Sequence, residues 1–448
     1  MLIDSFLDRV RENTSAEALI WHDQPFTYET LLTTYTIWVD ALTDAGIPSG
    51  SIVALEADYS LNSVAILLAL FNLRSIVVPL TGEVATSCEQ RCEIANVEWV
   101  VQVDGDDQVT IQQRCPQPAP STNHPLIAQL RHDHPGLILF TSGSTGKPKA
   151  AIHNVHLLLE KCQTRRQVSR TLLYLRFDSI SGVNMLLYVL ANGGCAIVAK
   201  DSSPESVAIA IANHQVQFLP TSPTFLTFLL LSKVYEQYDL SSLEVISYGS
   251  EMMPKDILAQ LVEIFPHIYF NQAFGMTEFG VLRTKSRTAD SLWFSVKQGE
   301  FAARVTDGLL EIKTPIAMLG YLNAPSPFTE DGWLITGDMA EVDGVWIKIL
   351  GRKSDLMNIG GQKVYPAEVE DVIQMMDGVV EVVVKGEQNP ITGNIVTAKV
   401  RLATEESLRS FRSRLHAFCK GKLEPYKIPM RIRLAEEALH STRFKKVR

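Results

Sequence analysis

The chain has 448 residues, 46% of them hydrophobic, with a formal net charge of −9 at pH 7. That length suits about three compact units, which large α/β folds often merge around shared cores. The acidic balance argues against a general nucleic-acid or anionic-membrane surface.

Residues 1–10 are mixed-charge and amphipathic, without the basic-then-apolar form of a secretory leader. No apolar run reaches the ~18 residues of a membrane span, residues 63–73 coming nearest, so a cytoplasmic protein without membrane partners is expected. Residues 51–55, 63–73 and 75–80 read as strand, helix, strand, the pattern of a parallel sheet. Cys88 and Cys92 stand one helical turn apart. With no second Cys/His pair nearby they read as helix residues rather than metal ligands. Residues 103–125, rich in Asp, Gln, Pro and Ser, read as an exposed linker, and His132-Asp133-His134 as a polar loop. The apolar run 137–140 reads as a buried strand. Strand, helix and strand recur at 195–199, 205–213 and 216–220. Residues 301–350 alternate apolar and polar with short turns, which predicts antiparallel β-structure. Beyond Arg352 a helix at 367–376, strands at 378–386 and 394–402 and a helix at 405–422 predict a small α+β unit.

The most informative stretch follows the 137–140 strand: Thr141-Ser142-Gly143-Ser144-Thr145-Gly146-Lys147-Pro148-Lys149. Hydroxyls, permissive glycine backbone and two lysines suit a polyphosphate. It is not a Walker A loop, because two residues rather than four separate its glycines and Pro148 follows Lys147. Downstream come Phe274-Gly275-Met276-Thr277-Glu278, then Thr336-Gly337-Asp338, then residues 351–370 from Gly351-Arg352 through Gly360-Gly361 to Glu370, and a basic end with Thr442, Lys445 and Lys446. Tyr248-Gly249-Ser250-Glu251 is not a nucleophile elbow, since the last glycine of G-x-S-x-G is absent.

In this order and rough spacing the segments resemble the signatures of the adenylate-forming (ANL) superfamily: acyl-CoA synthetases, luciferases and the adenylation domains of peptide synthetases. The resemblance covers about residues 20–448. It implies an α/β fold in which a large N-terminal domain (1–352) combines mixed βαβ sheets with a barrel-like β part. A small mobile C-terminal α+β lid (353–448) would carry the catalytic lysine.

The implied reaction joins a carboxylic acid to AMP with loss of pyrophosphate and then transfers the acyl group to a thiol. ATP, Mg²⁺ and coenzyme A are the implied cofactors. Thr141, Ser142, Gly143, Ser144, Thr145, Gly146 and Lys149 would hold the β- and γ-phosphates. Ser250, Glu251, Gln272 and Phe274 would frame adenine, Phe274 standing where the family usually has Tyr. Thr277 would contact the α-phosphate, Glu278 would help hold Mg²⁺, and Asp338 with Arg352 would take the ribose. Gly360 and Gly361 would line the thiol path. The hinge falls at Ser354 or Asp355. Counting from Thr442 makes Lys446 the catalytic lysine, with Lys445 second.

The acid itself is expected near Asp178, Gly182, Tyr248 and Gly249. Asp178 would bind an amine if the substrate were an amino acid; a surface or helix-capping aspartate is the preferred reading. CoA is the expected acceptor, ahead of a carrier protein in trans loaded by a stand-alone adenylation enzyme for an amino or aryl acid. The protein is expected to be a monomer or homodimer that binds no nucleic acid. A nucleotide-sensing relative without catalysis and a light-emitting oxygenase are the readings from other classes.

Overall fold

The computed structural model describes residues 2–82, 85–114, 124–130, 134–142, 147–296, 301–389 and 393–440. Two seven-stranded sheets form the body, the first largely parallel and the second mixed, with a parallel centre and antiparallel strands at both edges. The first runs, in spatial order, Gln24–Thr27, Glu17–Trp21, Cys195–Ile197, Arg170–Leu172, Phe218–Thr221, Val245–Tyr248 and Tyr269–Gln272. The second runs Gly320–Tyr321, Pro148–Asn154, Gly136–Ser142, Ile76–Leu80, Ile52–Glu56, Trp99–Val103 and Val109–Gln113. Its strands Ile52–Glu56 and Ile76–Leu80 bury nearly every side chain, as strands covered on both faces must.

Serine sets the start of helix after helix. Ser60 caps Leu61–Asn72 in a reciprocal box with Ser63, and Ser179 accepts from the Gly182 N–H at the head of Ile180–Ala191. Ser203 and Ser222 cap helices whose first residue is proline, where the missing N–H costs nothing. A six-stranded antiparallel sheet packs beside the body, in the order Thr284–Ser286, Phe294–Val296, Trp346–Arg352, Leu334–Asp343, Leu309–Lys313 and Ala302–Thr306. After the turn Lys353–Asp355, a separate sheet formed by Met357–Ile359, Gln362–Val364, Val379–Asn389, Gly393–Leu402 and Arg431–Leu434 buries one face with the helices Pro366–Gln374 and Leu408–Cys419 around Val382, Val384, Phe411 and Leu415.

Two expectations change. The stretch read as a linker contains a hairpin, with Val109–Gln113 antiparallel to Trp99–Val103. Asp104 drives the turn: its carboxylate accepts from the Asp106 and Gln108 N–H groups, and Asp107 takes a positive φ of 60°. The last helix is shorter than read, because Ser407 caps it at the front.

Candidate functional site

A cavity of about 250 Å³ lies between the body and the C-terminal sheet. Of the residues singled out from sequence, its wall gathers Ser250, Glu251, Gln272, Phe274, Asp338 and Arg352. The C-terminal sheet and its first helix contribute Val383, Glu370 and Gln374 to the same wall, and the segment after the last strand contributes Leu439.

The antiparallel register puts Asp338 directly opposite Arg352. The guanidinium Nε donates to Asp338 Oδ1 at 2.8 Å, and Arg352 also donates to the Thr336 carbonyl at 2.8 Å. Thr336 ties the turn down by donating to the Leu310 carbonyl and accepting from the Asp338 N–H, and Gly337 supplies the required φ of 78°. Asp338 is only 6% exposed, and burial pushes its carboxyl up to about 6 against the opposing pull of Arg352. Gln272 is 9% exposed, and its amide oxygen has no hydrogen-bond partner among the described residues. A buried acceptor left open costs about 1–3 kcal/mol, so this wall is built to receive a donor. Phe274 is stacked on Phe294 at 5.7 Å between ring centroids, which fixes its plane at the cavity. Glu251 is held by Thr224, whose hydroxyl donates to it at 2.5 Å.

A second group sits off that wall. Thr141 pairs across strands with Lys149, whose ammonium lies 5.4 Å from the centroid of the Tyr321 ring. The Tyr321 hydroxyl in turn donates to the buried carboxylate of Glu278. Tyr321 therefore joins the phosphate-type loop to Glu278. Sequence reasoning missed it, since a lone tyrosine on a two-residue strand gives no signal. Thr277 lies beside His153, whose burial lowers its pKa to about 4 and keeps it neutral. Ser142 ends the strand Gly136–Ser142. Gly143, Ser144, Thr145 and Gly146 lie outside the described residues, as do Thr442, Lys445 and Lys446. The chain leading to those lysines is positioned: His440 pairs with Glu381 at 2.5 Å and packs on Phe228, a residue of the cavity wall.

The residues expected around the acid fall elsewhere. Asp178, Gly182, Tyr248 and Gly249 do not line the cavity. Asp178 is neither on the surface nor a cap. It is 6% exposed, accepts from Arg176 at 3.0 Å and lies 3.9 Å from Arg91, while the neighbouring Ser179 does the capping. With two guanidiniums beside it, this carboxylate already has its counter-charge, which removes the reason to assign it an ammonium. Gly182 is a packing requirement, since a Cβ there would stand 2.0 Å from the Arg176 carbonyl oxygen. Gly360 and Gly361 likewise lie off the wall. Both have positive φ, 57° and 88°, and form the two-residue turn between Met357–Ile359 and Gln362–Val364. Ser354 and Asp355 share one turn, and of the two only Asp355 reaches the cavity.

Residues 6–299 match the AMP-binding enzyme family, and residues 368–446 match the AMP-binding enzyme C-terminal domain. A long-chain-fatty-acid–CoA ligase of Bacillus subtilis is 28% identical over 331 residues, 68% of this chain but 59% of that protein. The chain thus matches about three fifths of the length of that relative. A 2-succinylbenzoate–CoA ligase of Geobacillus kaustophilus is 26% identical over 92% of this chain and 89% of its own. In fold, the chain is similar to an anthranilate CoA ligase solved with anthranoyl-AMP, with a TM-score of 0.83 and 19% identity over 99% of this chain and 95% of that one. The matched region of the first domain alone covers well over half of the sequence, and the observed architecture has the same large and small parts. The chain belongs to the AMP-binding enzyme family.

Proposed function

We propose that this protein uses ATP to convert a carboxylic acid into an acyl-adenylate, releasing pyrophosphate, and then passes the acyl group to the thiol of CoA. The observation that carries this reading is the cavity wall on which a buried carboxylate, an open amide oxygen and a fixed aromatic plane face one space. These are the groups that a ribose diol, an exocyclic amine and a purine ring require. Asp338 accepts from the ribose hydroxyls and Arg352 holds it charged. Gln272 accepts from the adenine amino group while Phe274 packs on the ring. The acid's carboxylate oxygen attacks the α-phosphorus, the bond to the pyrophosphate oxygen breaks, and charge builds on the phosphoryl oxygens. Lys446 and Lys149 would supply the positive charge that offsets it. Mg²⁺ would fit at Glu278, whose carboxylate is held by Tyr321, and would neutralise phosphate oxygens when bound.

We place the domain boundary at Arg352, where the antiparallel sheet ends and the turn to the C-terminal sheet begins. CoA is the proposed acceptor because the CoA ligases above are similar in sequence along the chain. An ATP–pyrophosphate exchange panel over fatty, aryl and amino acids tests the first step. CoA added to the best acid, with the thioester read by mass, tests the second. Exchange with amino acids alone would replace CoA ligation with carrier loading, and exchange with no acid would reject the activity.

A further inference from the structure

One carboxylate gathers three donors at the rim of the cavity. Glu381, on the strand Val379–Asn389, is 7% exposed. It stands opposite Arg401 in the C-terminal sheet and accepts from the Arg401 Nε. It also accepts from the Leu439 N–H at 3.2 Å and pairs with the His440 Nδ1. A carboxylate offers only acceptors, so the imidazole donates here. Glu381 and Leu439 both line the cavity. The His440 ring then crosses to the body, where it packs on Phe228 with centroids 4.9 Å apart. Phe228 lies one helical turn beyond Thr224, the residue that holds Glu251 on the same wall.

These contacts shorten the tether to the terminal lysines. The last sheet bond upstream of them runs from the Ala435 N–H to the Val400 carbonyl. A chain held only at Ala435, eleven residues before Lys446, would let that lysine range over about 40 Å, whereas one held at His440, six residues before it, allows about 20 Å. The wall beside this anchor carries carboxylates, Asp355, Glu370 and Asp371 among them, while residues 441–448 bear four cations and no acid. A charge donor works at full strength only when it is held in place. Resting on the acid-activation reading above, we infer that Glu381 and His440 are positioning residues: the carboxylate clamps His440 against Phe228, and this anchor between the body and the C-terminal sheet delivers Lys446 to the phosphate under attack. Neither residue touches a reacting atom, so the effect of each passes through the lysine.

The test is ATP–pyrophosphate exchange by the full chain with the best acid of the panel. His440→Ala should lower kcat about tenfold or more and leave the KM for ATP within about twofold, because Asp338, Arg352, Gln272 and Phe274 are untouched. His440→Asn, whose side-chain amide replaces the Nδ1 donor, should recover most of the loss. Added to Lys446→Ala, His440→Ala should cost less than about twofold more, since the group it positions is gone. Phe228→Leu loosens the same anchor from the body side and should lower kcat about threefold or more, again only while Lys446 is present; it carries the comparison if His440→Ala does not fold. A kcat within twofold of the wild type in the anchor variants, or a loss just as large in the Lys446→Ala background, overturns the inference. So does a KM for ATP that rises as far as kcat falls. No recovery with His440→Asn overturns the part given to Glu381. Exchange absent with every acid while ATP still binds overturns the activation reading, and this one with it.

Discussion

Two buried aspartates, each paired with an arginine, have opposite relations to the cavity. Asp338 and Arg352 face each other across an antiparallel pair and open onto the cavity wall. Asp178 is two residues from its partner Arg176, which also donates to the Thr81 carbonyl at 2.7 Å, and both are shut away from the cavity. The chemistry is the same and the surroundings differ. A carboxylate held by one cation at an open wall keeps lone pairs for a ligand. A carboxylate pressed between two guanidiniums has spent its charge on the fold.

Substitutions sharpen this contrast. The largest loss should come from neither aspartate. Lys446→Ala should slow acid-dependent exchange at least ~100-fold, the usual cost of a preorganised charge donor, whereas Lys445→Ala should cost under tenfold; equal effects would break the assignment. Next, Asp338→Asn should raise the KM for ATP at least ~10-fold by removing a charged acceptor. Asp178→Asn should leave KM within threefold but lower stability by about 3 kcal/mol, since two guanidiniums lose their buried partner; a urea midpoint reads the difference. If both variants shift KM alike, the contrast is wrong.

The pH profile separates the pair further. The carboxyl of Asp338 sits near 6, above the ordinary aspartate range. Its protonated form therefore favours the fold at low pH, and that contribution fades as pH rises through about 6. ATP affinity should move the other way, rising between pH 5 and 7, and in Asp338→Asn this limb should flatten. The smallest change is expected for Tyr321→Phe. It frees Glu278 from its hydroxyl donor and should slow exchange about three- to tenfold, with little effect on KM for the acid.

The residues that gather at the cavity wall could be picked out in the sequence because they travel in short strings: Ser250 stands beside Glu251, and Gln272 two places from Phe274. Local signals also set the helices, with serine and proline marking the starts at Ser203 and Ser222. The illegible parts depend on partners distant in the chain. Asp178 looked like a surface or amine-binding residue because Arg91 comes from a helix far upstream. Tyr321 meets Glu278 only after the sheets assemble. The Val109–Gln113 strand was hidden by its polar composition, since it lies at a sheet edge and buries little.

Arg352 is the last residue of its strand, and the next one opens the turn into the C-terminal sheet. A single guanidinium thus balances the Asp338 charge on the cavity wall and stands at the covalent joint to the smaller half. On the proposed reading, a tilt of that half which strains Arg352 would alter how firmly ATP is held, and by reciprocity bound ATP would bias the tilt by the same free energy. The joint therefore transmits in both directions, and a change in either ligand affinity or hinge angle can be read from the other.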